Sequence, residues 1–239
     1  MPHLLFPGQA CGEKRRCPQC EALSRSICAA LDPFELERFE RLTQQIRLFD
    51  RETLFMEEEA AGAVYNVTEG VVRLSKLLPD GRRQIIGFAL PGDFLGTGPG
   101  DRHHCSADAI GPVTACRISR SPFWQFVETK PHILRRMNEF AARELNQAQD
   151  QMLLLGRRTA EEKVASFLVS WRDRLDRLGT HPVTIPLPMS RQDIADFLGL
   201  TIETVSRTFT KLEREGVIDI VKGGVCLRDS KRAEALAAA

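Results

Sequence analysis

The stretch from Met189 to Gly216, MSRQDIADFLGLTIETVSRTFTKLEREG, leaves this chain little freedom in what it can fold into. Ser190 is placed to cap a first helix, with Asp193 three residues on as a shorter substitute for the Glu or Gln of a capping box. Ile194, Ala195 and Leu198 give that helix a short apolar face, and Gly199 interrupts it. Thr201 can cap a second helix whose Val205, Phe209 and Leu212 fall at i, i+4 and i+7 and point inward. Gly216 stands just past its end, where a left-handed residue is favoured. Two short helices joined by a Gly-containing turn make a helix-turn-helix unit.

The outer face of the second helix carries Glu203, Ser206, Arg207 and Thr210, at i, i+3, i+4 and i+7. In this motif the N-terminal half of the second helix enters the major groove of DNA. Arg207 can contact a guanine edge in bidentate fashion, Glu203 can accept from a cytosine amino group, and Ser206 can hydrogen-bond or touch a thymine methyl. A merely solvated face would also place Glu203 at the positive end of the helix dipole. A carboxylate beside DNA phosphates is better explained by a base contact, so base readout is the preferred reading.

E-T-V-S-R on this helix, after D-I-A-D-F-L-G-L-T, resembles the recognition helix of the CRP/FNR superfamily of bacterial transcription regulators, in its FNR/FixK branch. The resemblance extends over nearly the whole chain. It implies that Glu203, Ser206 and Arg207 read the TTGA half-site of an inverted repeat like TTGAT-N4-ATCAA. It further implies a homodimer on double-stranded DNA, with RNA polymerase as a protein partner.

Charge supplies no general basic field and points only slightly against a nonspecific binder. The chain has 33 Lys and Arg against 32 Asp and Glu, a formal net charge of +1. Affinity must then come from local placement of Arg207, Lys211, Arg214 and Lys222, and from dimerisation. At 239 residues and 43% hydrophobic content there is material for two domains with separate cores. No apolar run reaches the length of a membrane span. The start, MPHLLFPGQACGEKRR, lacks the charged opening and long apolar core of a signal peptide. A cytoplasmic protein without a membrane partner is expected. No Ser/His/Asp or Cys/His constellation and no phosphate loop stands out, so an enzyme is not expected.

Four of the seven cysteines lie in the first 28 residues, and Cys17, Cys20 and Cys28 form C-x2-C-x7-C. In a reducing compartment such thiols are reduced, metal-bound or redox-sensing more often than disulfide-bonded. Soft thiolates suit zinc or an iron–sulfur cluster, and Cys11 could complete a zinc site. The spacing is similar to the cluster-binding N-terminus of rhizobial-type FNR proteins. That resemblance implies a four-iron, four-sulfur cluster on Cys17, Cys20, Cys28 and Cys116, with Cys105 and Cys11 as alternative ligands. Cys226 reads as a small buried hydrophobe in a strand.

Residues 31–39 read as helical. Short strands follow at 64–68, 71–77 and 83–88, with turns at Glu69-Gly70 and Pro79-Asp80-Gly81, and a break at Pro91-Gly92-Asp93. This spacing resembles the cyclic-nucleotide-binding fold of the superfamily. Fold does not dictate ligand: no Arg-Ser pair stands in Asp101–Ala107, although Arg102 is near, and no cyclic nucleotide is expected. His103 and His104 could ligate haem or a metal, but an adjacent pair in a polar loop reads as exposed. From Pro131 to about Gly156 one helix is expected, with Leu134, Met137, Ala141, Leu145, Ala148, Met152 and Leu155 forming a dimer seam. Ile133, Phe140 and Leu153–Leu154 would supply a second face toward the chain's own β-domain. Ala160–Leu178 reads as another helix, Val217–Arg228 as a hairpin wing, and the tail as a short helix.

The expectation is an α+β chain: cysteine-rich segment 1–30, a cyclic-nucleotide-binding-type β-roll at 31–130, a long dimerisation helix at 131–158, and a C-terminal winged helix-turn-helix at 159–239. Two other readings remain open: a FixK-like regulator without a cluster, and a zinc-stapled sensor or interaction module.

Overall fold

Where sequence punctuation calls for a series of short strands, the chain builds its larger sheet on two long ones. The computed structural model describes residues 17–98 and 100–238; Cys11 lies outside them. Contacts group residues 17–77 with Ile86–Glu144, and Leu78–Ile85 with 145–238, into two compact units.

The first unit opens with three short 3-10 turns, Cys17–Gln19, Leu23–Arg25 and Ile27–Ala30. Helix α1 (Pro33–Leu42) follows, started by Pro33 and a reciprocal Asp32–Glu35 capping box. Then come β1 (Thr43–Leu48), β2 (Thr53–Phe55), β3 (Ala63–Leu77), β4 (Arg83–Ala89), β5 (Phe94–Leu95) and β6 (Ser106–Ser119). The sheet order is β1-β6-β3-β4, with β2 also on β6 and β5 on β3. Helix α2 (Arg120–Val127), which the pattern did not suggest, brings Phe123 and Phe126 into the core.

The turn expected at Glu69-Gly70 is instead a bulge inside β3. Pairing with β6 shifts register on both sides of Glu69, and the strand continues to Leu77. Gly70 sits at φ +85°, and a Cβ there would lie 2.4 Å from the Pro112 carbonyl oxygen. A bulge, and not a reversal, explains the glycine. Gly70→Ala is therefore expected to destabilise this unit by about 2 kcal/mol or more, read as a lowered denaturant midpoint.

Alternation along the long strands sorts side chains between two cores. On β3, Val64 faces a cluster with Phe39, Phe94, Phe123 and Cys28. Ala63, Tyr65 and Val67 face another with Leu48, Phe55 and Val113. On β6, Ile118 joins the first cluster, while Ala107, Ala109 and Val113 join the second.

Helix α3 (Pro131–Arg157) has the expected extent. Leu134, Ala141, Leu145, Ala148, Met152 and Leu155 are all exposed, as an unpaired seam would be. Met137 departs from that seam: it packs with Phe140 against the aromatic core, beside the buried Ile133. Leu154 is buried and Leu153 is exposed, so the two do not act as a pair.

In the second unit, α4 (Ala160–Arg177) is capped by Thr159 and Glu162 and buries Val164, Phe167, Leu168 and Trp171. Trp171 donates its indole N–H to the Pro186 carbonyl at 2.8 Å, fixing β7 (Ile185–Pro186). Helices α5 (Arg191–Leu198) and α6 (Ile202–Arg214) lead into β8 (Ile218–Val221) and β9 (Gly224–Leu227), and the small sheet runs β7-β9-β8. Cys226 is only half-buried, its sulfur 3.3 Å from the Thr184 hydroxyl. The tail forms α7 (Ser230–Ala238), which packs on α4 and buries Ala233.

Candidate functional site

Cys17 and Cys20 occupy one 3-10 turn, closed by the Cys20 N–H donating to the Cys17 carbonyl at 3.1 Å. Side chains at i and i+3 eclipse in such a turn, so C-x2-C places both thiols on one side. Cys28 is brought in by the third turn, where its N–H donates to the Ser26 hydroxyl at 3.1 Å. Cys116 comes from β6, eleven positions beyond Cys105. An odd separation along a strand puts the two on opposite faces. Cys116 accordingly meets Cys17, Cys20 and Cys28 at one cavity, also lined by Phe39 and Asn66, while Cys105 packs against the other core. The four sequence-expected ligands are together, and the alternative Cys105 is apart.

Among the described residues no three His, Cys, Asp or Glu side chains converge on a single-ion position. What the four thiols share is a cavity wall. Burial pushes the Cys116 thiol up to about 12, with further pushes from Cys17, Cys20 and Cys28. Burial does the same to Cys17, to about 12, and to Cys28, to about 11; Cys20 is also raised by burial. Without a cation these groups are neutral thiols at pH 7, and binding a metal would release their protons. Because only the thiolate alkylates, iodoacetamide at pH 7.5 should label Cys17, Cys28 and Cys116 of metal-free protein at least ~100-fold more slowly than free cysteine. Peptide mass spectrometry reads the rate, which should climb as pH approaches 11.

Asn66 escaped sequence reasoning. It is 2% exposed, pairs with Cys116 across β3 and β6, and its buried Oδ1 has no hydrogen-bond partner. The available signal was an Asn, a residue depleted in strands, inside the apolar run AVYNV.

The loop where cyclic-nucleotide ligands are held in related folds is occupied by internal bonds. Arg102 donates to the Glu58 carbonyl, and Arg120 donates to those of Gly96 and Gly98 at 3.1 and 2.8 Å. His104 is exposed as expected, but His103 is not. It is 5% exposed and stacks on Phe55 at 3.8 Å between centroids, and its own backbone carbonyl and N–H pair with Glu58 and Glu59.

In the carboxyl-terminal unit, Ser190 and Asp193 complete a capping box on α5, and Gly199 ends that helix at φ +61°. The hydroxyl of Thr201 caps α6 by accepting from the Thr204 N–H at 3.2 Å. Val205, Phe209 and Leu212 are buried, while Glu203, Ser206, Arg207 and Thr210 line the exposed face. Glu203 is held below the usual carboxylate range by its own backbone N–H, the Thr201 hydroxyl and then the Arg207 charge. The Thr210 hydroxyl donates to the Ser206 carbonyl at 3.2 Å. Lys211, expected to face DNA, is ion-paired to Glu161. Asp193 and Asp196 on α5 both accept from Arg83, at 2.9 and 2.8 Å, a clamp with no sequence signature.

Comparison with known proteins agrees with this architecture. Residues 187–218 match the family described as bacterial regulatory proteins, crp family, and residues 46–130 match the cyclic nucleotide-binding domain. The chain is 62% identical over 239 residues, the full length of both proteins, to the transcriptional activatory protein AadR of Rhodopseudomonas palustris. It is 59% identical over 223 residues to the nitrogen fixation regulation protein FixK of Bradyrhizobium diazoefficiens, covering 93% of this chain and 94% of that one. Among solved structures, FixK2 from Bradyrhizobium japonicum matches with a TM-score of 0.77 at 39% identity, over 82% of this chain and 98% of that one.

Proposed function

The chain belongs to the Crp family of bacterial regulatory proteins, in its FNR/FixK branch, as a DNA-binding transcription regulator and not an enzyme, and from that premise we propose that it senses oxygen or redox state through a four-iron, four-sulfur cluster. One observation carries the sensory part: Cys17, Cys20, Cys28 and Cys116 line a single cavity. The donor set fits the group. Four soft thiols are available, Phe39 keeps one wall apolar, and Asn66 adds an amide whose Oδ1 has no protein partner. When bound, the cluster supplies an oxygen-labile tie.

The chain's own residues do the rest. Cys17, Cys20 and Cys28 hold the N-terminal turns to Cys116 on β6, which runs through α2 into α3. Helix α3 carries exposed Leu134, Leu145, Met152 and Leu155, which a second copy would cover in a homodimer. A twofold dimer sets its two α6 helices about one DNA turn, ~34 Å, apart. Each α6 then reads a half-site of a TTGAT-N4-ATCAA-like inverted repeat through Glu203, Ser206, Arg207 and Thr210. Losing the tie need shift the dimer by only a few kcal/mol to act as a switch. Segment 1–30 is the sensor lash, 31–130 the roll, 131–158 the dimer helix and 159–239 the DNA-binding domain. The roll is read as taking no cyclic nucleotide, since no Arg-Ser pair stands in Asp101–Ala107. RNA polymerase is the protein partner and the cytoplasm the compartment. Among the described residues no helix is long and apolar enough to cross a membrane.

The test is iron, acid-labile sulfide and zinc content after strictly anaerobic purification, with visible absorption followed as air is admitted. About four irons and four sulfides per chain, bleaching in air, is the expected result. Identity to FixK favours a second reading, a regulator of the same DNA class with no cluster and control by abundance. Iron-free, zinc-free protein that binds the operator would establish it, and zinc alone would establish a structural staple.

A further inference from the structure

We propose that Asn66 is a positioning residue for the metal centre: its amide N–H donates to a cluster sulfide or to the Cys116 thiolate and slows oxidation by oxygen. This rests on the cluster reading above. Three observations place the amide there. Asn66 pairs with Cys116 across β3 and β6, so the two side chains emerge on one face as direct neighbours. It lines the cavity that holds the four thiols. It is 2% exposed, and its Oδ1 is enclosed with no partner.

A buried carboxamide oxygen without a hydrogen bond is costly, and native interiors seldom keep one without reason. An apolar residue would fill the same space in a strand at no such cost, as Val64 does two positions away on the same face. A half-turn about the last torsion brings either the oxygen or the nitrogen toward the thiols. Four thiolates around iron and sulfide present anionic sulfur, which accepts hydrogen bonds and offers none. The nitrogen end is thus the one that satisfies both partners. Were a cluster held there, its oxidation would pass one electron to dioxygen, giving superoxide, and would leave the sulfurs less negative by one unit of charge in total. An N–H donor stabilises the more negative side of that step, and hydrogen bonds to the sulfurs are a known lever on such potentials.

The experiment uses the full chain, purified anaerobically, and three variants. Asn66→Leu keeps the branched shape without a donor. Asn66→Val and Asn66→Thr share a shape and differ by one hydroxyl donor. Iron and sulfide are counted, bleaching under air is timed, and resonance Raman spectra are recorded in H2O and D2O. The expected result is unchanged loading, bleaching about fivefold faster in Asn66→Leu, the effect of one ordinary hydrogen bond, and faster in Asn66→Val than in Asn66→Thr. Fe–S stretches of the parent should shift in D2O by an increment that Asn66→Leu loses. Bleaching of Asn66→Leu at the parent rate overturns the proposal. Failure of all three variants to hold iron, while the parent holds four, also overturns it, since Asn66 would then serve the fold. A parent protein without iron sinks the cluster reading itself.

Discussion

Arg207→Ala is expected to lower operator affinity about thirtyfold or more without lowering thermal stability. The side chain stands on the exposed face of α6, whose packing rests on Val205, Phe209 and Leu212. Truncation therefore removes a base contact and leaves the core alone. A bidentate contact to guanine is worth ~1–3 kcal/mol, and a twofold dimer makes two of them, so ~2–6 kcal/mol is at stake. At ~1.4 kcal/mol per decade the lower bound is already about thirtyfold. The loss should be specific: discrimination at one base pair per half-site relaxes, while the dependence of log affinity on log salt stays close to that of the parent. A phosphate contact would behave in the opposite way, flattening the salt slope by about one unit per site and sparing discrimination. Glu203 sharpens the contrast. Its own backbone N–H, Thr201 and Arg207 hold its pKa low, so it remains an ionised acceptor as pH falls toward 5. Equal losses on matched and mismatched operators in titrations of Arg207→Ala would defeat the assignment of Arg207 as a base reader.

Legibility in the sequence followed the range of the interactions. The helix-turn-helix was readable because caps, apolar spacing and the interrupting Gly199 all act within a few residues. Helix α3 was readable for the same reason, one period sustained from Pro131 onward. What a window cannot contain is pairing. The 3-10 turn explains why Cys17 and Cys20 face one way, but Cys116 reaches them only because β6 pairs with β3 and presents its even-numbered positions to that side. Resemblance supplied Cys116; strand parity supplies the reason, and it separates Cys105. The bulge at Gly70 was misread as a turn because glycine marks both, and only the Pro112 carbonyl beside it decides. Met137 fell out of the expected seam because a three- and four-residue rhythm cannot tell a partner helix from the chain's own core. Arg83 and Asn66 were invisible for another reason: each matters through a neighbour distant in sequence, Asp193 and Asp196 for one and Cys116 for the other.

Cys116→Ser should have the largest effect on the sensor, and Cys105→Ser almost none. Both residues lie on or just before β6, both are partly buried, and burial raises the pKa of both thiols. They differ in face. Cys116 is one wall of the cavity with Cys17, Cys20 and Cys28, whereas Cys105 packs beside Leu48, Phe55 and Val113. Serine is nearly isosteric, so neither change disturbs the strand, but a hydroxyl is a hard, weakly acidic ligand and a poor holder of iron. Iron in anaerobically purified Cys116→Ser should fall from about four per chain to less than about one, and the absorption that bleaches in air should vanish. If the tie favours the dimer by ~3 kcal/mol, anaerobic operator affinity should fall by about 150-fold at a protein concentration below the dimer constant. It should recover as concentration is raised, because mass action can replace the tie while the exposed seam of α3 stays intact. That recovery separates loss of the sensor from damage to α6, which no concentration of dimer would repair. Full iron in Cys116→Ser together with loss in Cys105→Ser would move the fourth ligand to the opposite face of the sheet, and with it the route from the cavity to α3.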